Sequence, residues 1–215
     1  MRADAVSHRL SYSADAVDDE VPCAEFMDTD ASAGQTQGVQ FNMDEARARL
    51  AAAFPLVNEH PDVAGVLRDP ALLRLVGEAL AAPYIDADVD RVIAPEARGP
   101  IVGALVAREL GCGLVLARKD DRNHPGADIP VQSAPTWRGH SEVFQGRSFD
   151  LSPGDRVLIV DDWVTTGNTL RAARSIVQVL GAVLVGAAVV VNKADDATLE
   201  ELEVHSLVDF DDLVP

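Results

Sequence analysis

The stretch RVLIVDDWVTTGNTL, residues 156–170, decides the fold that this chain can adopt. Residues 157–160 are all apolar, which is typical of a strand that is buried on both faces of a sheet. Two adjacent carboxylates, Asp161 and Asp162, come next, and a polar turn with one glycine follows them. Residues 169–180 then have the pattern of a helix. The sequence therefore predicts a strand, a polar turn and a helix in direct succession.

Strands and helices alternate along most of the chain. Apolar runs and capping residues predict strands at 91–95, 113–118, 182–191 and 204–208, and helices at 44–54, at 99–110 and after Asp69-Pro70. On the helix at 99–110 we expect Ile101, Leu105 and Val106 to face the core. This alternation predicts an α/β fold, in which helices flank a parallel sheet. Such sheets bind ligands at the carboxyl ends of their strands, where the polar turn lies.

The polar turn has the features of a phosphate-binding site. Backbone N–H groups at a helix N-terminus are unpaired and carry partial positive charge. The hydroxyls of Thr165, Thr166 and Thr169 add donors, and Gly167 lets the backbone approach an anion closely. We expect a larger residue at this glycine to occupy the space of the anion. No lysine follows the glycine, so the turn is not a Walker loop.

The two carboxylates beside a phosphate site indicate a ligand that also carries hydroxyl groups. A sugar phosphate meets both requirements, because its hydroxyls donate to Asp161 and Asp162 while its phosphate binds the turn. The alternative is that the aspartates only cap the turn and that Thr165 or Thr166 caps the helix. The combination of an apolar strand, two carboxylates and a threonine-rich turn favours the ligand.

Composition restricts the partners and the location of the protein. The formal net charge of −17 disfavours nonspecific binding to nucleic acid or to a membrane surface, because phosphate groups repel an acidic chain. Two cysteines, Cys23 and Cys112, give neither a disulfide framework nor a metal-site pattern. No apolar run reaches membrane-spanning length, and no secretory signal pattern is present. We therefore expect a cytoplasmic protein with small-molecule substrates.

Two segments lack the periodicity of ordered elements. Residues 1–42 are rich in Asp, Ser, Ala and Gln, which predicts an acidic, disordered extension that precedes one ordered domain at 43–215. Residues 119–155 are weakly patterned, with a strand or hairpin predicted around 141–149. A segment of this length within a compact domain is often a mobile functional loop.

The stretch VLIVDDWVTTGNTL resembles the phosphoribosyl pyrophosphate (PRPP) signature of the type I phosphoribosyltransferases. APEARGPIVGALVARELGCGLVLARK, residues 94–119, is similar to the pyrophosphate loop, helix and strand of the adenine phosphoribosyltransferase branch. VLRDPALL, at 66–73, and LEVHSLVDF, at 202–210, resemble further segments of that branch in the same order. The resemblance covers roughly residues 47–210 and identifies the chain as a member of this family.

The resemblance implies a five-stranded parallel core sheet with a small hood and a mobile loop. It also implies a reaction in which a ring nitrogen of a base, with adenine as the leading candidate, displaces pyrophosphate from the anomeric carbon of PRPP. Mg²⁺ would act with PRPP and be held mainly by substrate oxygens and water, so no protein metal site is expected. Family members are commonly homodimers, which we expect here also.

The resemblance and the residue chemistry together assign the PRPP site. The 5′-phosphate is assigned to the turn, which consists of Thr165, Thr166, Gly167, Asn168 and Thr169. The ribose hydroxyls are assigned to Asp161 and Asp162. The pyrophosphate is assigned to Ala97 and Arg98, just before the helix predicted at 99–110, and to Arg118 and Lys119 at the end of the neighbouring strand.

Two departures from the family concern the base. The hood of the adenine enzymes carries a Phe-Arg-Asp run, and the matching positions here read His60-Pro61-Asp62, so His60 and Asp62 are the candidate base-binding residues. In the mobile loop the family has Glu-Tyr-Gly, whereas residues 138–140 here read Arg-Gly-His. Glu142 is therefore the candidate that handles the proton of the base.

The resemblance also gives the loop a function. The positively charged transition state must be shielded from water, and loop closure is the usual means. Trp137 is the predicted apolar lid, and Arg138 is predicted to meet an anion. Two alternatives to an adenine enzyme stay open at this point. One is a regulatory protein that senses PRPP without catalysis, and the other is a biosynthetic phosphoribosyltransferase with an unusual acceptor.

Overall fold

Seven strands form one sheet in the computed structural model, which describes residues 41–135, 139 and 141–213. The predicted acidic extension therefore lies outside the described residues, except for its last two positions. The proposed lid residues, Trp137 and Arg138, lie outside them as well. Within the part of the chain that is described, no helix is long and apolar enough to cross a membrane.

The longer helices and strands follow one another in the order that the sequence predicts. The helices are α1 (Met43–Ala53), α2 (Val63–Arg68), α3 (Pro70–Ala81), α4 (Gly99–Leu110), α5 (Asn168–Val179), α6 (Asp196–Leu202) and α7 (Phe210–Leu213). The strands are β1 (Leu56–Val57), β2 (His60–Pro61), β3 (Arg91–Pro95), β4 (Gly113–Lys119), β5 (Ile129–Gln132), β6 (Val143–Gly146), β7 (Arg156–Val164), β8 (Val183–Asn192) and β9 (Val204–Asp209).

The strand order confirms a parallel core. The sheet order is β5-β6-β4-β3-β7-β8-β9, and each neighbouring pair among its last five strands, β4-β3-β7-β8-β9, is parallel. Strand β6 lies within the hairpin region that was predicted around 141–149. Its partners, β4 and β5, are both antiparallel to it. Because β3, β4 and β7 are adjacent and parallel, their carboxyl ends lie at one edge of the sheet.

Helix boundaries follow local capping chemistry. Asp69 accepts hydrogen bonds from the backbone N–H groups of Ala71 (2.8 Å) and Leu72 (3.0 Å), and Pro70 occupies the first turn of α3. Helix α4 ends at Gly111, whose φ of 68° places it in the left-handed region. The predicted start of α3 and the predicted span of α4 are thereby confirmed.

The predicted inner face of α4 is partly wrong. Ile101 is 51% exposed, whereas Val102 and Val106 are fully buried. A Cβ added to Gly103 would lie 2.7 Å from Cβ of Ala94 on β3, so this glycine marks the closest approach of the helix to the sheet. The glycine, and not the larger isoleucine, therefore faces the strand.

The short elements were not predicted. The β1–β2 hairpin, α2 and α6 contain two to seven residues each, and such lengths carry little hydrophobic periodicity. The core instead follows the strands: Leu158 and Val160 pack on one face of β7, while Val157 and Ile159 pack on the other. This alternation confirms that β7 is buried on both faces.

Candidate active site

The Asp161–Asp162 pair lies within β7 and not after it. The sequence predicted a strand that ends at Val160, but the parallel pairing with β8 continues through Val164. Asp161 is in register with Val189. The pair therefore sits on a rigid element at the carboxyl edge of the sheet, directly before the polar turn.

Asp161 is a deeply buried carboxylate. Its exposed fraction is 5%, and its Oδ1 accepts a hydrogen bond from the backbone N–H of Asp162 at 2.8 Å. A Cβ added to Gly99, the first residue of α4, would lie 2.8 Å from the same oxygen. Burial raises the pKa of Asp161 well above its usual value, and the negative charge of Asp162 raises it further.

Asp162 connects the strand to the predicted pyrophosphate loop. Its Oδ2 accepts a hydrogen bond from Nε of Arg98, a residue 64 positions earlier in the chain. The side chain of Arg98 is 56% exposed, whereas that of Asp162 is 9% exposed. The guanidinium therefore stands between the buried carboxylate and solvent, at the N-terminus of α4, where an anion is also favoured.

Arg118 and Lys119 meet the same loop from the neighbouring strand. Oε1 of Glu96 accepts from Nε of Arg118 at 2.8 Å, and its Oε2 accepts from the backbone N–H of Lys119 at 3.1 Å. The Lys119 Nζ donates to Oε1 of Glu142 at 2.6 Å. The sequence analysis missed Glu96, although this residue lies in the quoted APEARG segment, because its partners are only apparent when β3 and β4 are paired.

The polar turn, residues 165–169, lies at the start of α5, as predicted, and is called the cradle below. Gly167 has a φ of 71°, which favours glycine, and it occupies the capping position without a side-chain cap among the described contacts. Thr165 and Thr166 are exposed. The amide of Asn168 donates to the carbonyl oxygens of Ala134 (3.2 Å) and Pro135 (3.3 Å), so it also holds the middle of the weakly patterned segment at 119–155.

A side chain at Gly167 would point towards α6. A Cβ at this position would lie 2.7 Å from Cγ2 of Thr198 and 2.8 Å from Cδ1 of Leu202, both on α6. These contacts place it against the neighbouring helix. The glycine is therefore required by its positive φ and by the close packing of α6.

An aromatic pair ends the central strands. The rings of Trp163 on β7 and Phe210 after β9 lie 6.0 Å apart, edge to face. Lys193, which follows β8, places its Nζ 3.6 Å from the centroid of the Phe210 ring. The sequence analysis did not single out these residues. Trp163 directly follows the aspartate pair, and this position in the sequence could have marked it as a residue near the site.

The candidate base-binding residues lie on the β1–β2 hairpin and directly after it. His60 is exposed on β2, and Asp62 precedes α2 without capping it. In the described part of the chain, neither side chain is hydrogen-bonded to the aspartate pair. The structure joins Arg98 to Asp162, and it joins Arg118 and Lys119 to Glu96 of the same loop.

The donor set is compatible with a magnesium ion that the substrate shares. Among residues 41–135, 139 and 141–213, no three side chains of the His, Cys, Asp or Glu type gather as metal ligands. Asp161 and Asp162 supply carboxylate oxygens, the ligand type that Mg²⁺ prefers, and such ions are commonly completed by substrate phosphates and water.

Comparisons with known proteins agree with this geometry. The family model described as phosphoribosyl transferase domain matches residues 63–210. The adenine phosphoribosyltransferase of Dinoroseobacter shibae is 36% identical over 160 residues, which cover 70% of this chain and 85% of that protein. That of Paracoccus denitrificans is 39% identical over 155 residues, with coverages of 70% and 81%.

A solved structure supports the same assignment. The crystal structure of adenine phosphoribosyltransferase from Rhodothermus marinus is similar with a TM-score of 0.66 at 28% identity, and the match covers 77% of this chain and 99% of that one. The chain belongs to the type I phosphoribosyltransferase family, in its adenine phosphoribosyltransferase branch.

Proposed function

We propose that this protein transfers the 5-phosphoribosyl group of PRPP to adenine, forming AMP and releasing pyrophosphate. The observation that carries the proposal is the meeting of three groups at one sheet edge: the aspartate pair, the glycine cradle and the cations at the ends of β3 and β4. Relatives named adenine phosphoribosyltransferase, at 30% to 39% identity, support the choice of adenine.

The reaction requires the groups that this edge provides. A ring nitrogen of adenine forms a bond to the anomeric carbon, the bond from that carbon to the pyrophosphate oxygen breaks, and the oxygen leaves with the electron pair. The ring nitrogen loses its proton. Positive charge develops on the sugar, as in glycoside cleavage, and the carboxylates of Asp161 and Asp162 favour it.

The leaving pyrophosphate is proposed to bind the three cations of the site. Arg98, Arg118 and Lys119 form ion pairs with Asp162, Glu96 and Glu142, respectively. Phosphate oxygens would take the place of Asp162 at the exposed Arg98. Magnesium, when bound, supplies further positive charge to the pyrophosphate oxygens.

The remaining parts of the proposal concern the base, the loop and the assembly. Glu142 is proposed to take the proton of the base once Lys119 turns to pyrophosphate, and His60 and Asp62 to contact the base. Trp137 and Arg138, which lie outside the described residues, stay the predicted lid. Homodimer assembly and a cytoplasmic location also stay predictions, and light scattering checks the former.

A panel of free bases with PRPP and Mg²⁺ tests the proposed function. We expect steady pyrophosphate release with adenine and much slower release with hypoxanthine, guanine and pyrimidine bases. Turnover with another base alone would favour the biosynthetic enzyme with an unusual acceptor. PRPP binding without turnover of any base would favour the regulatory protein.

Arg98 offers a separate test of the pyrophosphate assignment. Replacement Arg98→Met removes the exposed guanidinium beside Asp162, and we expect kcat/KM for PRPP to fall about a hundredfold. Arg108→Met, on the same helix but at its far end, is the matched control because Arg108 is exposed and contacts only Glu109 among the described ion pairs. Equal rates for the two variants would contradict the assignment of Arg98.

A further inference from the structure

Arg171, one turn into α5, links the cradle to the neighbouring helix. Its Nη1 donates to the backbone carbonyl of Thr166 at 2.6 Å, and its Nε and Nη2 donate to the carboxylate of Glu201 on α6. One guanidinium therefore fixes the turn that is assigned to the 5′-phosphate against α6. The sequence analysis had assigned no role to this residue.

The geometry of a peptide unit gives this contact a consequence for the ligand. In a trans peptide the carbonyl and the following N–H point in opposite directions. The carbonyl of Thr166 shares its peptide unit with the N–H of Gly167. When Arg171 holds that carbonyl towards α6, the N–H of Gly167 is directed to the opposite side, away from the guanidinium.

Charge compensation makes Arg171 better suited to positioning than to direct anion binding. Glu201 is held by both Arg171 and Arg174, and these hydrogen bonds lower its pKa to about 2. Its carboxylate stays ionised at neutral pH and offsets the positive charge of the guanidinium. The closest backbone partner of Arg171 is a carbonyl of the cradle, which is an acceptor and cannot bind phosphate itself.

We propose that Arg171 is a positioning residue of the 5′-phosphate site, because its guanidinium fixes the Thr166–Gly167 peptide so that the Gly167 N–H points to the phosphate. This inference rests on the proposed function. Without Arg171 this peptide is free to rotate, and the phosphate loses one oriented donor. A hydrogen bond to a charged group of this kind corresponds to about a tenfold change in affinity.

Arg174 is a matched control within the same helix. Its Nη2 donates to Oε1 of Glu201 at 2.7 Å, and its Nη1 donates to the Glu201 backbone carbonyl, so it shares the α5–α6 contact. Only Arg171 of the two reaches Thr166 among the described hydrogen bonds. Arg171→Met and Arg174→Met both remove one guanidinium and its hydrogen bonds to Glu201, but they differ in the contact with the cradle.

Calorimetry with PRPP, AMP and pyrophosphate separates the two arginines. For Arg171→Met we expect the dissociation constants of PRPP and AMP, which carry the 5′-phosphate, to rise about tenfold, while that of pyrophosphate is unchanged. For Arg174→Met all three should match the wild type. In turnover, Arg171→Met should raise KM for PRPP and leave kcat within about threefold, because the aspartate pair is untouched.

The same measurements distinguish failure of the Arg171 inference from failure of the proposed function. Equal affinities of the two methionine variants for PRPP would overturn the inference and leave Arg171 as a link between helices. If the wild type binds no PRPP, the proposed function fails and the inference fails with it. If Arg171→Met does not fold, Arg171→Lys and Arg174→Lys provide the comparison, since an ammonium keeps the charge but cannot serve both partners in the fork geometry. Weaker PRPP binding in Arg171→Lys alone supports the inference, and equal binding overturns it.

Discussion

The double variant Asp161→Asn, Asp162→Asn is expected to lose at least about a thousandfold in kcat, because the two carboxylates that we propose to stabilise the developing positive charge become neutral. We expect the fold to survive. Asparagine has nearly the same shape, and the Asp162 backbone N–H can still donate to the side-chain oxygen at position 161. Pyrophosphate release from PRPP and adenine, with circular dichroism for the fold, measures both effects.

The stability of the double variant has a defined pH dependence. Burial raises the pKa of Asp161 in the folded state, so the wild type loses stability as the pH rises from the unfolded value of about 4 through the raised folded value. The variant lacks this loss, and its melting temperature at neutral pH is expected to be no lower than that of the wild type. Thermal melts at pH 5 and pH 8 check the sign.

The control for this variant removes two carboxylates at the other edge of the sheet. Asp86 and Asp88 are exposed and lie just before β3, at its amino end. Asp86→Asn with Asp88→Asn changes the net charge equally and should keep full activity. Unfolding of the site variant, or full activity in it, would show that Asp161 and Asp162 have only a structural role.

Gly167→Val is expected to have the second-largest effect. The branched side chain must adopt a φ of 71° and would collide with Thr198 and Leu202 of α6. We expect PRPP affinity to fall about a hundredfold or more, because the cradle can no longer keep its shape, and the melting temperature to fall as well. Calorimetry with PRPP and thermal melts measure the two changes.

Gly154→Val separates backbone strain from the collision. Gly154 has a φ of 89°, and nothing lies within 4 Å of an added Cβ. This control should lower the melting temperature without weakening PRPP binding. Unchanged PRPP affinity in Gly167→Val would contradict the assignment of the cradle to the 5′-phosphate.

The sequence predicted the larger elements because their signals are local. Asp69-Pro70 starts α3, Gly111 ends α4, and apolar runs form β3 and β8 with bounds close to those predicted. The end of β7 was misjudged because polar Asp161 and Asp162 interrupt the apolar run, whereas pairing with β8 keeps them in the strand.

The contacts of the site depend on pairings between distant segments. The aspartates and the glycine turn belong to a local sequence pattern, so the sequence alone located them between an apolar strand and a helix. Glu96 acquires its two partners only when β3 pairs with β4, and Arg171 acquires Glu201 only when α6 packs beside α5. The side-chain direction at Gly167 was likewise set by α6, an element too short to predict.

The measurement that tests the central claim most directly is phosphorus NMR of PRPP, adenine and Mg²⁺ with the wild-type protein. We expect the PRPP resonances to disappear while those of AMP and free pyrophosphate grow in equal amounts, with no ribose 5-phosphate. Omission of adenine should leave PRPP intact. Unchanged PRPP in the complete mixture, or loss of PRPP to ribose 5-phosphate and pyrophosphate without AMP, would contradict transfer to adenine.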